Sequence, residues 1–122
     1  MKVVNCHERK IEATVAEVGA LIDSLASDDD KLWPFEIWPR MKFDRDLAVD
    51  ALGGHGPIRY YVASYNPGSA IRFCFTGPDG FNGYHEFVVV EISAKLSLLR
   101  HNLKMKTTGK AILSWPLVFR PL

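Results

Sequence analysis

His85 and His101 stand in "FNGYHEF" and "LLRHNL", two stretches in which apolar and polar residues alternate. Alternation of period two places every second side chain on one face of a strand, and both histidines fall on the apolar side. A hairpin centred on Ser93 sets them directly opposite each other, with Cβ atoms ~5 Å apart. Two imidazoles so placed can share a proton, orient a ligand carbonyl or hold a metal. Zinc normally takes three or four protein ligands, and no third residue stands at a suitable spacing, so no metal and no other cofactor is expected. Acid–base chemistry stays open because histidine titrates near neutrality. Equally open is a quieter role, as buried polar residues satisfied by tyrosine hydroxyls, backbone or water.

Around the histidines the same apolar face is aromatic. Tyr60, Phe73, Phe75 and Phe87 lie on it, Met105 adds an adaptable apolar surface, and Trp33 and Trp38 come from a proline-rich loop. Such a stripe either fills a solid core or lines a small-molecule cavity. Other candidates are weaker. "GGHG" at residues 53–56 lacks the lysine and helix of a phosphate loop, and reads as a flexible bend with His55 in solvent. Asp44 and Asp46 flank Arg45, which favours a salt bridge over an acid pair. Ser24, Ser27 and Ser64 have no neighbouring base. Cys6 and Cys74 lack metal-type spacing and read as reduced, buried or half-buried packing residues.

The elements that must position these residues follow from local signals. "VVNCHERKIEA" reads as an opening strand with an ambiguous inner face. Thr14 and Glu17 form a capping box, after which Val15, Val18, Leu21, Ile22 and Leu25 recur at helical spacing. "SDDD" belongs to the following loop, since acids at a helix C-terminus oppose its dipole. Trp33 and Trp38 each precede a proline, which holds them in extended or turn geometry. An antiparallel meander follows. "NPGS" is a type II turn, and a hairpin centred on Pro67–Gly68 pairs Val62 with Phe73 and Tyr60 with Phe75. Centring the next loop on Gly80 pairs Phe75 with His85 and Phe73 with Phe87. Parity then puts Ile58, Tyr60, Val62, Ile71, Phe73, Phe75, His85, Phe87, Val89, Leu99, His101, Leu103 and Met105 on one buried concave face, and Arg72 and Lys104 outside.

Composition narrows the function classes. With 122 residues and 48% hydrophobic content, the chain suits one globular domain. A net charge of +1 supplies no broad field for nucleic acid, so no nucleic-acid partner is expected. No apolar run approaches a membrane span, and "MKVVNCHERK" lacks the form of a signal peptide. These features and the unpaired cysteines predict a cytoplasmic protein.

The order of strand, capped helix, second short helical region, antiparallel meander and a closing helix, short and proline-interrupted in "KAILSWPLVFRPL", resembles the START-like superfamily, also called the SRPBCC or polyketide cyclase-like group. "LWPFEIWPRMKFDRDL", "GGHGPIRYYVASYNPG", "FTGPDGFNGYHEF", "LLRHNL" and "WPLVFRPL" are similar to a bacterial branch of it. The resemblance spans nearly the whole chain and implies one domain, residues 1–122, of α+β helix-grip class: a curved antiparallel sheet wrapping a C-terminal helix around an apolar cavity. It further implies binding of an apolar or aromatic small molecule, lipid- or polyketide-like, by Trp38, Tyr60, Phe73, Phe75, His85, Phe87, His101 and Met105. A cyclase- or dehydratase-like enzyme using His85 and His101 stays open, as does an interaction module with a vestigial cavity. A helix spanning a sheet ~30 Å across needs ~20 residues, whereas 13 follow Gly109, with Pro116 and Pro121 among them. Ala111, Ile112, Trp115, Val118 and Phe119 are therefore expected to lie in the groove or at the contact of a symmetric homodimer.

Overall fold

Each alternating stretch carries one dry face and a row of backbone donors and acceptors that only neighbouring strands can satisfy. In the computed structural model, which describes residues 2–108, they assemble into a single sheet. The strands are β1 (Lys2–Ile11), β2 (Met41–Phe43), β3 (Leu52–His55), β4 (Ile58–Asn66), β5 (Ala70–Gly77), β6 (Phe81–Ser93) and β7 (Leu96–Thr107), with helix α1 (Val15–Asp23) after β1. Every pairing is antiparallel, in the order β1-β7-β6-β5-β4-β3-β2. The sheet is curved and open, and the architecture is the α+β helix-grip class. The closing segment after Gly109, and the expectations placed on it, lie outside the described residues.

The parity expected for the inner face holds on β4 to β7. Ile58, Tyr60, Val62, Ile71, Phe73, Phe75, His85, Phe87, Val89, His101, Leu103 and Met105 are all buried, and Leu99 is half-buried. Lys104 is exposed. Arg72 lies over the Tyr84 ring and pairs with Glu86 at 2.7 Å, while Glu86 also accepts a hydrogen bond from Asn102, so these polar side chains brace one another across β5, β6 and β7. The first hairpin has the expected pairs, Tyr60 with Phe75 and Val62 with Phe73. Gly68 takes φ +78 in its turn, as a type II turn requires of the third residue. A bulge at Ala63 then shifts the remaining pairs by one.

Two registers differ from expectation, each by two residues. His85 faces Phe73, and Phe87 faces Ile71, because the turn closes with the Phe81 N–H donating to the Pro78 carbonyl and is centred before Gly80. On the next hairpin Phe87 faces His101 and His85 faces Leu103. There the chain turns at Ala94–Lys95 and carries an irregularity between Glu91 and Ser93. A two-residue slip leaves every side chain on its own face, so the inner set survives both errors.

Thr14 and Glu17 form the capping box, with the Glu17 N–H donating to the Thr14 hydroxyl at 3.1 Å. Val18 and Ile22 carry the helix into the same core as the sheet's inner face, followed by Leu25. Gly19 allows the closest approach: a methyl there would overlap the Gly68 carbonyl oxygen. Asp23 ties the helix end to that hairpin by accepting from the Tyr65 hydroxyl at 2.6 Å and the Gly68 N–H at 2.9 Å. "GGHG" is not a flexible bend. Its first three residues belong to β3, and Gly53 lets the strand approach the Lys42 carbonyl on β2. Cys6 is exposed rather than packed, on the outward side of an edge strand, and Cys74 is intermediate.

Candidate functional site

The site is built outward from His85, which is fully buried at the centre of the inner face. Its ring stacks on Phe73 at 4.8 Å between centroids and on Phe75 at 5.4 Å. The Tyr60 ring meets it edge-on at 4.6 Å. Its Nδ1 lies 3.3 Å from Nε2 of His101. The two rings are diagonal rather than directly opposite, and diagonal neighbours on paired strands remain within reach of long side chains. Phe87, which does face His101, sits 4.6 Å from it.

The Trp-Pro loop covers one side of this cluster. Asp30 organises the loop by accepting from the backbone N–H groups of Ala26, Leu32 and Trp33 at 2.8–2.9 Å. Trp33 donates its indole N–H to the Pro39 carbonyl at 2.9 Å, which holds the ring against the sheet. His55 packs against both tryptophans, which also touch each other at 5.3 Å between centroids. It is 2% exposed, stacks on Trp38 at 5.4 Å with a 7° interplanar angle, and lies 4.6 Å from Trp33. The expected solvent position of His55 is therefore overturned. Pairing with Met41 on β2 and Ile58 on β4 carries it under the loop, where its Nδ1 lies 2.8 Å from the Tyr60 hydroxyl.

Burial governs the electrostatics. It pulls His55 down to about 4, helped by the nearby Arg59 charge. Burial also pulls His101 down to about 4, with His7 adding to the effect and Glu86 opposing it. His85 is held well below the usual histidine range by burial, then by His101 and His55. Burial raises the Tyr60 hydroxyl well above its ordinary value. At neutral pH the interior is thus a set of uncharged imidazoles and a phenol. Among the described residues no lysine or arginine is buried, and His85 Nε2 and His101 Nδ1 are buried without a hydrogen-bond partner.

Near the β1 edge the site opens. His7 faces His101 across the β1–β7 pair and is exposed. A cavity of about 290 Å³ opens there, bordered by His7, Arg9, Leu32, Phe87, Leu99 and His101.

Of the residues expected to bind a ligand, Tyr60, Phe73, Phe75, His85, Phe87 and His101 come together as one chain of touching rings. Trp38 joins them through His55 and Trp33. Met105 is buried farther along β7, facing Val3 and Gly83, and borders a separate cavity with Lys104 and Lys106. His55, Phe43 and His7 join the site without having been expected there. Phe43 stacks on Phe73 at 5.6 Å. For His7 a signal exists in the sequence, since it shares parity with the buried Val3. Among the described residues no group of three metal-binding side chains occurs, and Asp44 binds Arg45 through both oxygens at 2.9–3.0 Å, the salt bridge favoured there.

Comparison by structure identifies the fold. Norcoclaurine synthase from Thalictrum flavum, in complex with dopamine and hydroxybenzaldehyde, is similar with a TM-score of 0.74 at 12% identity, over 99% of this chain and 79% of that one. A START superfamily protein from Mycobacterium smegmatis is similar with a TM-score of 0.61 at 10% identity, over 89% and 83% of the two chains. CalU16 from Micromonospora echinospora gives 0.62 at 12% identity, over 93% and 73%. No protein-family model matches the sequence, and neither does any curated protein. The fold is START-like, of the SRPBCC type.

Proposed function

We propose that this chain, a single START-like domain over residues 1–122, binds a small apolar or aromatic molecule against the concave face of its sheet. Trp38, Tyr60, Phe73, Phe75, His85, Phe87 and His101 are the ligand-binding set, with the mouth between β1 and the Trp-Pro loop beside His7 and His101, whereas Met105, expected among them, lies apart on a separate cavity. One observation carries the reading: two imidazole nitrogens, on His85 and His101, are buried among aromatic rings with no partner among the described residues. Leaving a buried polar group unsatisfied costs about 1–3 kcal/mol, and a ligand hydroxyl or carbonyl would remove that cost. Apolar walls with a few polar handles are the usual form of a small-molecule site. A neighbour of the same fold described with two aromatic molecules bound supports the reading as analogy. The closing apolar residues, including Trp115 and Phe119, would complete the groove or join two copies as a homodimer. Thermal unfolding with neutral aromatic probes such as 2-naphthol tests the proposal. A probe at 100-fold excess over its Kd should stabilise the fold by ~2.7 kcal/mol. If no neutral aromatic probe raises the midpoint while the protein is folded, the reading is wrong.

A further inference from the structure

The chain has four histidines, and the fold sets all of them in one file across the inner face. His7 on β1 faces His101 on β7. His101 Nε2 lies 3.3 Å from His85 Nδ1 on β6. His85 touches the Tyr60 ring, and the Tyr60 hydroxyl lies 2.8 Å from His55. The file runs from an exposed end at the mouth to a fully buried interior. We propose that the His85–His101 pair is a proton relay, linking a hydroxyl or enolisable carbonyl of a neutral bound molecule to the mouth beside His7. The inference rests on the ligand position given above and adds the chemistry of that position.

A single proton between His85 Nδ1 and His101 Nε2 couples the two rings. If His85 donates from Nδ1, His101 must carry its own proton on Nδ1, and His85 Nε2 is a bare acceptor. If His101 donates from Nε2, both rings are in the Nε2–H form. The neutral pair thus has two states, always with matching tautomers, and each offers one donor and one acceptor at its outer ends. These ends are the two buried nitrogens that lack partners among the described residues.

Transfer converts one state into the other without charging either ring. The ligand's O–H or α-C–H bond breaks, and its proton joins His85 Nε2. The His85 Nδ1–H bond breaks as the proton moves to His101 Nε2. The His101 Nδ1 proton, buried in the ligand-free chain, passes to a water that reaches it from the mouth beside His7. The ligand keeps the electron pair, and a tautomerisation ends when a proton returns by the reverse path to its second basic atom. Burial disfavours an imidazolium intermediate here, so a path that never forms one has the advantage. Among the described residues no lysine or arginine is buried beside the pair, so the anion formed on the ligand is held by the His85 Nε2–H that the shift leaves behind until a proton returns to it.

Ring 15N shifts of uniformly labelled protein at pH 7 test the relay without any ligand. The expected result is that His85 and His101 are both neutral, with shifts averaged between the two tautomers to the same extent. In His101→Leu, which leaves His85 Nδ1 no partner to exchange a proton with, the tautomer balance at His85 should depart from its wild-type value. Saturation with 2-naphthol should then move His85 and His101 together in the wild type. A locked tautomer in the free protein, mismatched tautomers or a protonated ring overturns the relay. So does bound 2-naphthol that shifts His85 alone. If 2-naphthol fails to bind, the binding reading is at fault, and the ligand-free spectrum still decides the relay.

Discussion

Burying imidazoles obliges the folded chain to keep them neutral, and that obligation has a pH signature. Unfolded histidine titrates near 6.5, whereas His55 and His101 are pulled down to about 4 by burial. Between those values the unfolded chain binds protons that the folded chain refuses, so stability is full above pH 6.5 and falls as pH drops through the window toward 4. Each ring accounts for on the order of 3 kcal/mol, with His85 acting in the same direction. The charges acting on them come from Arg59 on β4, His7 on β1 and Glu86 on β6. Urea unfolding at pH 7, 5.5 and 4.5 should show this fall, and His55→Phe should flatten it even where it lowers the plateau. Stability that rises on acidification, or an unchanged slope in the variant, contradicts the assignment. His55 was hidden in the sequence for a physical reason: three glycines around it suggest flexibility, while Gly53 and Gly54 serve close strand approach, which depends on β2 and β4 being present, and Gly56 takes φ +53 in the turn that follows. His85 and His101 were legible because side-chain parity needs no knowledge of register.

Helix and loop elements owe their placement to contacts that propensity alone does not reveal. Gly19→Ala should raise intrinsic helix propensity by roughly 1 kcal/mol, yet its methyl would overlap the Gly68 carbonyl oxygen, a backbone atom that cannot rotate away. Overpacking typically costs 1–3 kcal/mol, so the variant should be less stable by urea titration, and a gain in stability would show that α1 can lift off the hairpin freely. Asp30→Ala removes one acceptor from three backbone N–H groups in the loop that carries Trp33. It should lose roughly 2–3 kcal/mol, given the strength of hydrogen bonds to charged groups, and increase tryptophan exposure to quenchers. Unchanged quenching would mean that Trp33 is held by ring packing alone. The capped helix and four meander strands were readable from local pattern. The two hairpin registers were not, because turn-centre arithmetic assumes symmetric turns and the structure shortens one and adds an irregularity to the other.

Across the whole molecule, one curved sheet folds an aromatic face over buried neutral imidazoles and leaves a mouth at its β1 edge. Among the described residues no helix is long and apolar enough to cross a membrane. The fold class was legible from element order, whereas the closing segment, with Trp115 and Phe119, lies outside the described residues. Its apolar composition predicts association, so sedimentation at micromolar concentration should give twice the chain mass, and a persistent monomer would contradict it. The central claim, that the concave face holds a small neutral molecule, is tested most directly by native mass spectrometry of protein purified from its own host. The account predicts a mass excess of a few hundred daltons or less per chain that disappears on denaturation and is diminished in a His85→Phe variant. A bare chain mass under gentle conditions, unchanged after incubation with excess 2-naphthol, would contradict it.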